Sequence, residues 1–218
     1  MGGRGSGSGG PSLGGGSGEN VNIKSQTDIW TYRHRQNNEP FVDAINTGVR
    51  TIQNDFPDVM DTVSSVNAAK LGGSDNQHTL GFYSPSDKSL GMNTNFTDID
   101  KMNRVYDRSV SSKFHPSRGN KTGTEAVALH EMGHALTDHI GKKIGAADLD
   151  DAAKRIVDNA YKASGGKGGT KKWAGLISKY AQQNNAECIA EAVADFYCNG
   201  NKATNQSKAI MAELRKYK

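Results

Sequence analysis

Residues 122–141 read TGTEAVALHEMGHALTDHIG, and this stretch restricts what the rest of the chain can do more than any other. Thr122 and Glu125 have the spacing of a capping box, in which each side chain satisfies the other residue's backbone N–H at a helix start. Gly141 followed by Lys142 and Lys143 suits a helix end, where a glycine and positive charge complement exposed carbonyls. A helix over 123–140 is therefore predicted. On it His130 and His134 fall one turn apart on one face, and Glu131 lies about 100° further round. Imidazoles four residues apart can bind one ion, and a glutamate next to the first can reach a water on that ion without being a ligand. The competing account is an ordinary polar helix face. A chain with six histidines meets this five-residue pattern by chance only about once in a hundred times. The expected cofactor is one Zn²⁺, which lowers the pKa of a bound water and polarises a carbonyl, with Glu131 taking the proton.

Such a site needs a third protein ligand. A histidine six residues after His134 is absent, because position 140 is Ile140, and Thr137 stands where that arrangement needs glycine. His139 falls on the opposite face from His130. Asp138, one turn past His134, is expected to orient that histidine or meet solvent. The remaining acidic cluster is NNAECIAEAVADFY, residues 184–197, where Glu187, Glu191 and Asp195 recur every fourth residue among Ile189, Val193, Phe196 and alanines. A solvated stripe is one account. The apolar residues on the other faces favour burial, and three buried carboxylates need compensation. A cation with its histidines provides it, one carboxylate as ligand and the others behind imidazole N–H groups.

HEMGH followed by YAQQNNAECIAEAVADF (180–196) resembles the catalytic domain of anthrax lethal factor and its smaller relatives, zincin metallopeptidases of toxins, phages and mobile elements. The shared pattern is a tyrosine, a glutamate seven residues later, then Ala-Glu-Ala. The resemblance implies that His130, His134 and Glu187 are the metal ligands, that Glu131 is the general base, and that Glu191 supports a ligand from behind. It also implies that Tyr180 stabilises a tetrahedral oxyanion. The matched segments are 122–140 and 180–196. The segment between them, rich in lysine and glycine at 162–172, has no counterpart, and the residues before 39 have none either. From the residues alone, Tyr180 at helical spacing with Trp173 and Ile177 also fits a core position.

The rest of the chain predicts an α+β fold, a small sheet with a hairpin packed on helices. Apolar residues recur at helical spacing from Glu39 to Phe56, and Pro57 suits the first position of a second, short helix. HTLGFYSPSDKSLGMNTNF (78–96) alternates around Pro-Ser-Asp and predicts a β-hairpin. Arg104–Val110 predicts a further strand. Helices are expected over 147–163, 170–182, 186–199 and 204–217, broken by glycine-rich stretches such as SGGKGG at 164–169. The first eighteen residues are almost all Gly and Ser and cannot bury enough surface to offset ordering. Residues 1–38 are therefore expected to be a disordered tail and linker, and 39–218 a single zincin-like domain. Met1-Gly2 with Ser6 also meets the loose N-myristoylation pattern.

Only 34% of residues are hydrophobic, and no apolar run approaches the ~20 residues a membrane span requires. The N-terminal residues contain no apolar stretch suited to a secretory signal. Action in a bacterial cytoplasm, in a phage virion, or after export by a non-classical route is expected. Cys188 and Cys198, ten residues apart, stand ~15 Å apart on one helix and cannot bridge. The net charge of +4 is mild, and no motif points to specific nucleic-acid binding. The expectation is a monomeric zinc-dependent endopeptidase acting on protein or peptide substrates, phage or host proteins among them. Two alternatives stay open: a zinc-stabilised binding or virion-structural module without hydrolysis, and a delivered toxin protease domain. If substrate adds as a strand to a sheet edge, Leu90–Phe96 is the expected edge.

Overall fold

The computed structural model describes residues 35–69 and 79–218. The glycine-rich tail, its Met1-Gly2 pattern and His78 at the head of the hairpin lie outside them. The described elements run α1 (Arg35–Asp55), β1 (Ser65–Ala69), β2 (Gly81–Ser84), β3 (Ser89–Asn93), α2 (Ile99–Ser111), α3 (Gly123–Lys143), α4 (Leu149–Ala163), α5 (Thr170–Ala174), α6 (Asn185–Asn199) and α7 (Asn205–Leu214), with short 3₁₀ turns between several of them. The class is α+β, and no described helix is long and apolar enough to cross a membrane.

Helix α3 is the axis of the fold. Its capping box is formed in full: the Glu125 N–H donates to Thr122 Oγ1 at 3.1 Å, and the Thr122 N–H donates to Glu125 Oε2 at 2.7 Å. From Gly123 to Gly141 nearly every residue is buried, on all faces of the helix. An α-helix so enclosed needs neighbours on every side. Helix α1 approaches at Gly48, where a Cβ would lie 2.7 Å from the Ala128 Cβ. Helix α6 approaches at Gly133, and α4 at Gly141, where a Cβ would meet the Ala152 Cβ at 2.8 Å. Small residues on α3 thus let three helices pack closely, and the core between them is filled by Ile45, Leu129, Met132, Leu136, Ile156 and Val193.

The three strands form one sheet in the order β1-β3-β2, parallel between β1 and β3 and antiparallel between β2 and β3. The hairpin expected over 78–96 is therefore present, closed by a turn in which Ser84 Oγ donates to Asp87 Oδ2 at 2.8 Å. Leu90–Phe96 is not an edge. Its strand, β3, is the central one and is buried along its whole length, because β1, whose sequence SVNAA carries little strand signal, pairs along its other side.

Several other boundaries differ from expectation. Arg104–Val110 is helical, within α2: Asp98 caps it by accepting from the Lys101 N–H, and Met102 and Tyr106 bury one face. Helix α1 starts at Arg35, ahead of Glu39, because the apolar period that marks it in the sequence begins only at Phe41. The helix expected over 170–182 stops at Ala174. The chain turns at Gly175, where a Cβ would stand 2.2 Å from Gln182 Nε2, and resumes as a single 3₁₀ turn over Tyr180–Gln182.

Candidate metal centre

Helices α3 and α6 cross at Gly133 and Ala190, and the crossing brings the three expected ligands together. One ligand atom from each of His130, His134 and Glu187 lies within 4.8 Å of the others. His130 Nε2 is 3.1 Å and His134 Nε2 is 3.5 Å from Glu187 Oε2. Ligands about 2.0–2.2 Å from a tetrahedral ion stand about 3.3–3.6 Å from each other; the 3.5 Å separation falls in that range and the 3.1 Å separation is slightly shorter. By length they also suit hydrogen bonds. Neither oxygen of Glu187 has a hydrogen-bond partner, although the residue is 1% exposed. His134 Nδ1 is likewise buried without a partner.

Glu187 follows the N-cap of α6. The Asn184 side chain accepts from the Glu187 N–H at 2.8 Å, so the Glu187 carboxylate is free of capping and turns inward to the histidines. Burial alone would push its pKa up; His134 and His130 facing it outweigh burial and hold it well below the usual carboxylate range. An unpaired carboxylate at this depth costs several kcal/mol. Two imidazoles and a carboxylate converging on one point fit a zinc ion.

Glu191 sits one turn along α6, behind His130. Its Oε1 lies 2.8 Å from His130 Nδ1 and 2.9 Å from His115 Nδ1, and its Oε2 accepts from Ser178 Oγ at 2.7 Å. Burial raises its pKa, but the charge and hydrogen bond of His115 and the bond to His130 bring it down to about 2. The bond to Glu191 leaves His130 Nε2 as the nitrogen facing Glu187. Asp195, the third acid of the stripe, has no imidazole partner. It accepts from Asn199 Nδ2, the Thr204 N–H and Ser207 Oγ, and so anchors the start of α7. Asp138 does not orient His134: it accepts from Tyr83 Oη and Lys88 Nζ, both at 2.6 Å, tying α3 to the hairpin. His139 faces away, its Nδ1 3.1 Å from Thr62 Oγ1.

Glu131 is buried beside the histidines, and burial raises its pKa against the opposing pull of His130 and His134. Strand β2 comes against it: a Cβ on Gly81 would be 3.2 Å from Glu131 Cγ. Tyr180 is 3% exposed, with its ring stacked on that of His130 at a centroid distance of 5.8 Å. Burial, with Glu187, Glu131 and Glu191 nearby, raises the phenol's pKa, so it keeps its proton at neutral pH and has an O–H to donate. The two cysteines are free and buried, and burial pushes both thiols up to about 12, which removes them as nucleophiles.

His115 and Ser178 belong to this cluster, yet the sequence did not mark them. His115 lies in the connection after α2, with no spacing relation to the metal helix. Ser178 stands two residues before Tyr180, within a stretch expected to be helical. No protein-family model matches the chain, and no curated protein matches it either.

Proposed function

We propose that this chain is a zinc-dependent endopeptidase with a zincin-like arrangement of active-site helix and mixed sheet. The observation that carries the reading is the buried Glu187 carboxylate, with one oxygen 3.1 and 3.5 Å from the Nε2 atoms of two histidines one helical turn apart. His130, His134 and Glu187 would hold the ion, which when bound supplies Lewis-acid polarisation of a peptide carbonyl and acidifies a water.

The chain's own groups do the proton work. Glu131, one residue after the first histidine, accepts the proton of the attacking water and passes it to the departing amine. Its raised pKa suits both halves of that task. Tyr180 stays protonated and donates a hydrogen bond to the carbonyl oxygen as that oxygen gains charge. Glu191 holds the tautomer and ring angle of His130. Strand β2, an edge of the described sheet and the strand against Glu131, is the place for an extended peptide to add a strand.

The test is release of peptides from a denatured-protein mixture, abolished by chelation, restored by Zn²⁺, and absent in a Glu131→Gln variant that still holds metal. A chain that retains zinc but releases no peptide from any mixture is a zinc-stabilised binding module instead.

A further inference from the structure

We infer that His115 is a positioning residue for the metal site, acting through Glu191 on His130. The inference rests on the metal reading above and extends it to a segment, Lys113–His115, that lies outside both matched segments. Glu191 Oε1 is shared: His115 Nδ1 at 2.9 Å and His130 Nδ1 at 2.8 Å both reach it. A carboxylate on a helix can swing about its side-chain torsions, and a single contact to the imidazole leaves that freedom. His115 on the same oxygen and Ser178 on the other fix the carboxylate from two sides. The His130 ring angle is then set from outside α3 and α6.

The segment carrying His115 is itself held firmly. Lys113 adopts a positive φ of 59°, a conformation that side-chain-bearing residues rarely adopt. The carbonyls of Lys113 and Phe114 accept the N–H groups of Lys179 and Tyr180, at 2.9 and 3.0 Å. The His115 ring stacks on Tyr106 of α2, centroids 5.5 Å apart and 14° between planes, and meets Tyr180 edge-on at 5.1 Å. One short segment therefore grips both the support of His130 and the backbone of Tyr180. Its geometry is more than core filling, because the shared oxygen requires a donor at Nδ1.

Two substitutions separate hydrogen bonding from packing. His115→Phe keeps a ring for the Tyr106 stack and removes the donor. His115→Asn sets an amide close to where Nδ1 stood and removes the ring. Zinc affinity is measured for both by competition with a chromophoric chelator, with melting temperatures recorded alongside. The positioning role predicts about tenfold weaker zinc binding in His115→Phe, the lower end of the range for outer hydrogen-bond partners, and near wild-type binding in His115→Asn. The reverse order, or equal effects in both, overturns it. The ¹⁵N shift of His130 Nδ1 in metal-free protein gives a second readout that needs no ion. It should move in His115→Phe and hold in His115→Asn; an unmoved shift in His115→Phe also overturns the inference. If wild type takes up no zinc, the metal reading fails while this second measurement still decides the role of His115.

Discussion

Gly133 lies so close to Ala190 that a Cβ on it would stand 2.8 Å from the Ala190 Cα. Gly133 is the residue just before the second histidine, and Ala190 just before Glu191. His130 and Glu187 each lie three residues upstream of this crossing. The crossing therefore sets how far the carboxylates of α6 stand from the imidazoles of α3. A position that looks like a spacer within HEMGH decides the geometry of the whole cluster.

Gly133→Ala should accordingly destabilise the fold and weaken metal binding together. Replacing a helical glycine by alanine gains about 1 kcal/mol of helix propensity, while overpacking a tight contact costs about 1–3 kcal/mol. The backbone Cα of Ala190 cannot rotate away, so the larger cost is expected to win, by up to about 2 kcal/mol. Urea denaturation and zinc competition measure the two effects. Unchanged stability and affinity would mean that α6 re-seats freely.

The two glutamates of α6 should separate cleanly in metal titrations. Glu187→Ala is expected to lose zinc almost completely, as His130→Ala and His134→Ala should. Glu191→Ala is expected to weaken it about 10–100-fold, because it removes only the hydrogen-bond support behind His130. The opposite ranking would exchange their roles.

Tyr180→Phe should lower kcat by about 10²–10³-fold, which is about 2.7–4 kcal/mol of transition-state stabilisation, with little change in KM. The Phe ring preserves the contacts with His130 and Phe114, so zinc content and melting temperature should hold. A variant with wild-type turnover would make Tyr180 a packing residue only.

Acid stability should depend on Asp55, which joins the end of α1 to α6 through Tyr197 Oη and to the C-terminal residues through Arg215 and Lys218. Burial raises its pKa, but hydrogen bonds from Lys218, Tyr197 and Arg215 prevail and bring it from 3.8 to about 2. The folded value is depressed, so the stabilisation is present in full above pH 3.8 and is lost as pH falls towards 2. Its cationic partners are partly exposed, so solvent screening leaves about 1 kcal/mol at neutral pH. Asp55→Asn should remove that amount at pH 6 and only a small part of it near pH 2, where Asp55 is about half protonated. Equal losses at both values would show that the charge is not responsible.

Local chemistry made much of this molecule legible from its sequence. The Thr122–Glu125 capping box and the Gly141-Lys-Lys end locate α3 because both signals act within a turn of helix. The i, i+4 spacing of His130 and His134 follows from the same helix, and the period of Glu187, Glu191 and Asp195 locates α6. The resemblance implied different roles for Glu187 and Glu191, but only the tertiary structure decided which partners each acid of the stripe meets. Asp195 has the same spacing as its neighbours, yet it reaches the start of α7 because that helix packs beside it. Glu187 and Glu191 meet the histidines because Gly133 admits Ala190. Strand β1 pairs with β3 across more than twenty intervening residues, which turns an expected edge into the sheet's centre. His115 reaches Glu191 from 76 residues away. Such contacts depend on where helices cross and strands pair, and long-range packing sets both; no local period or cap encodes them.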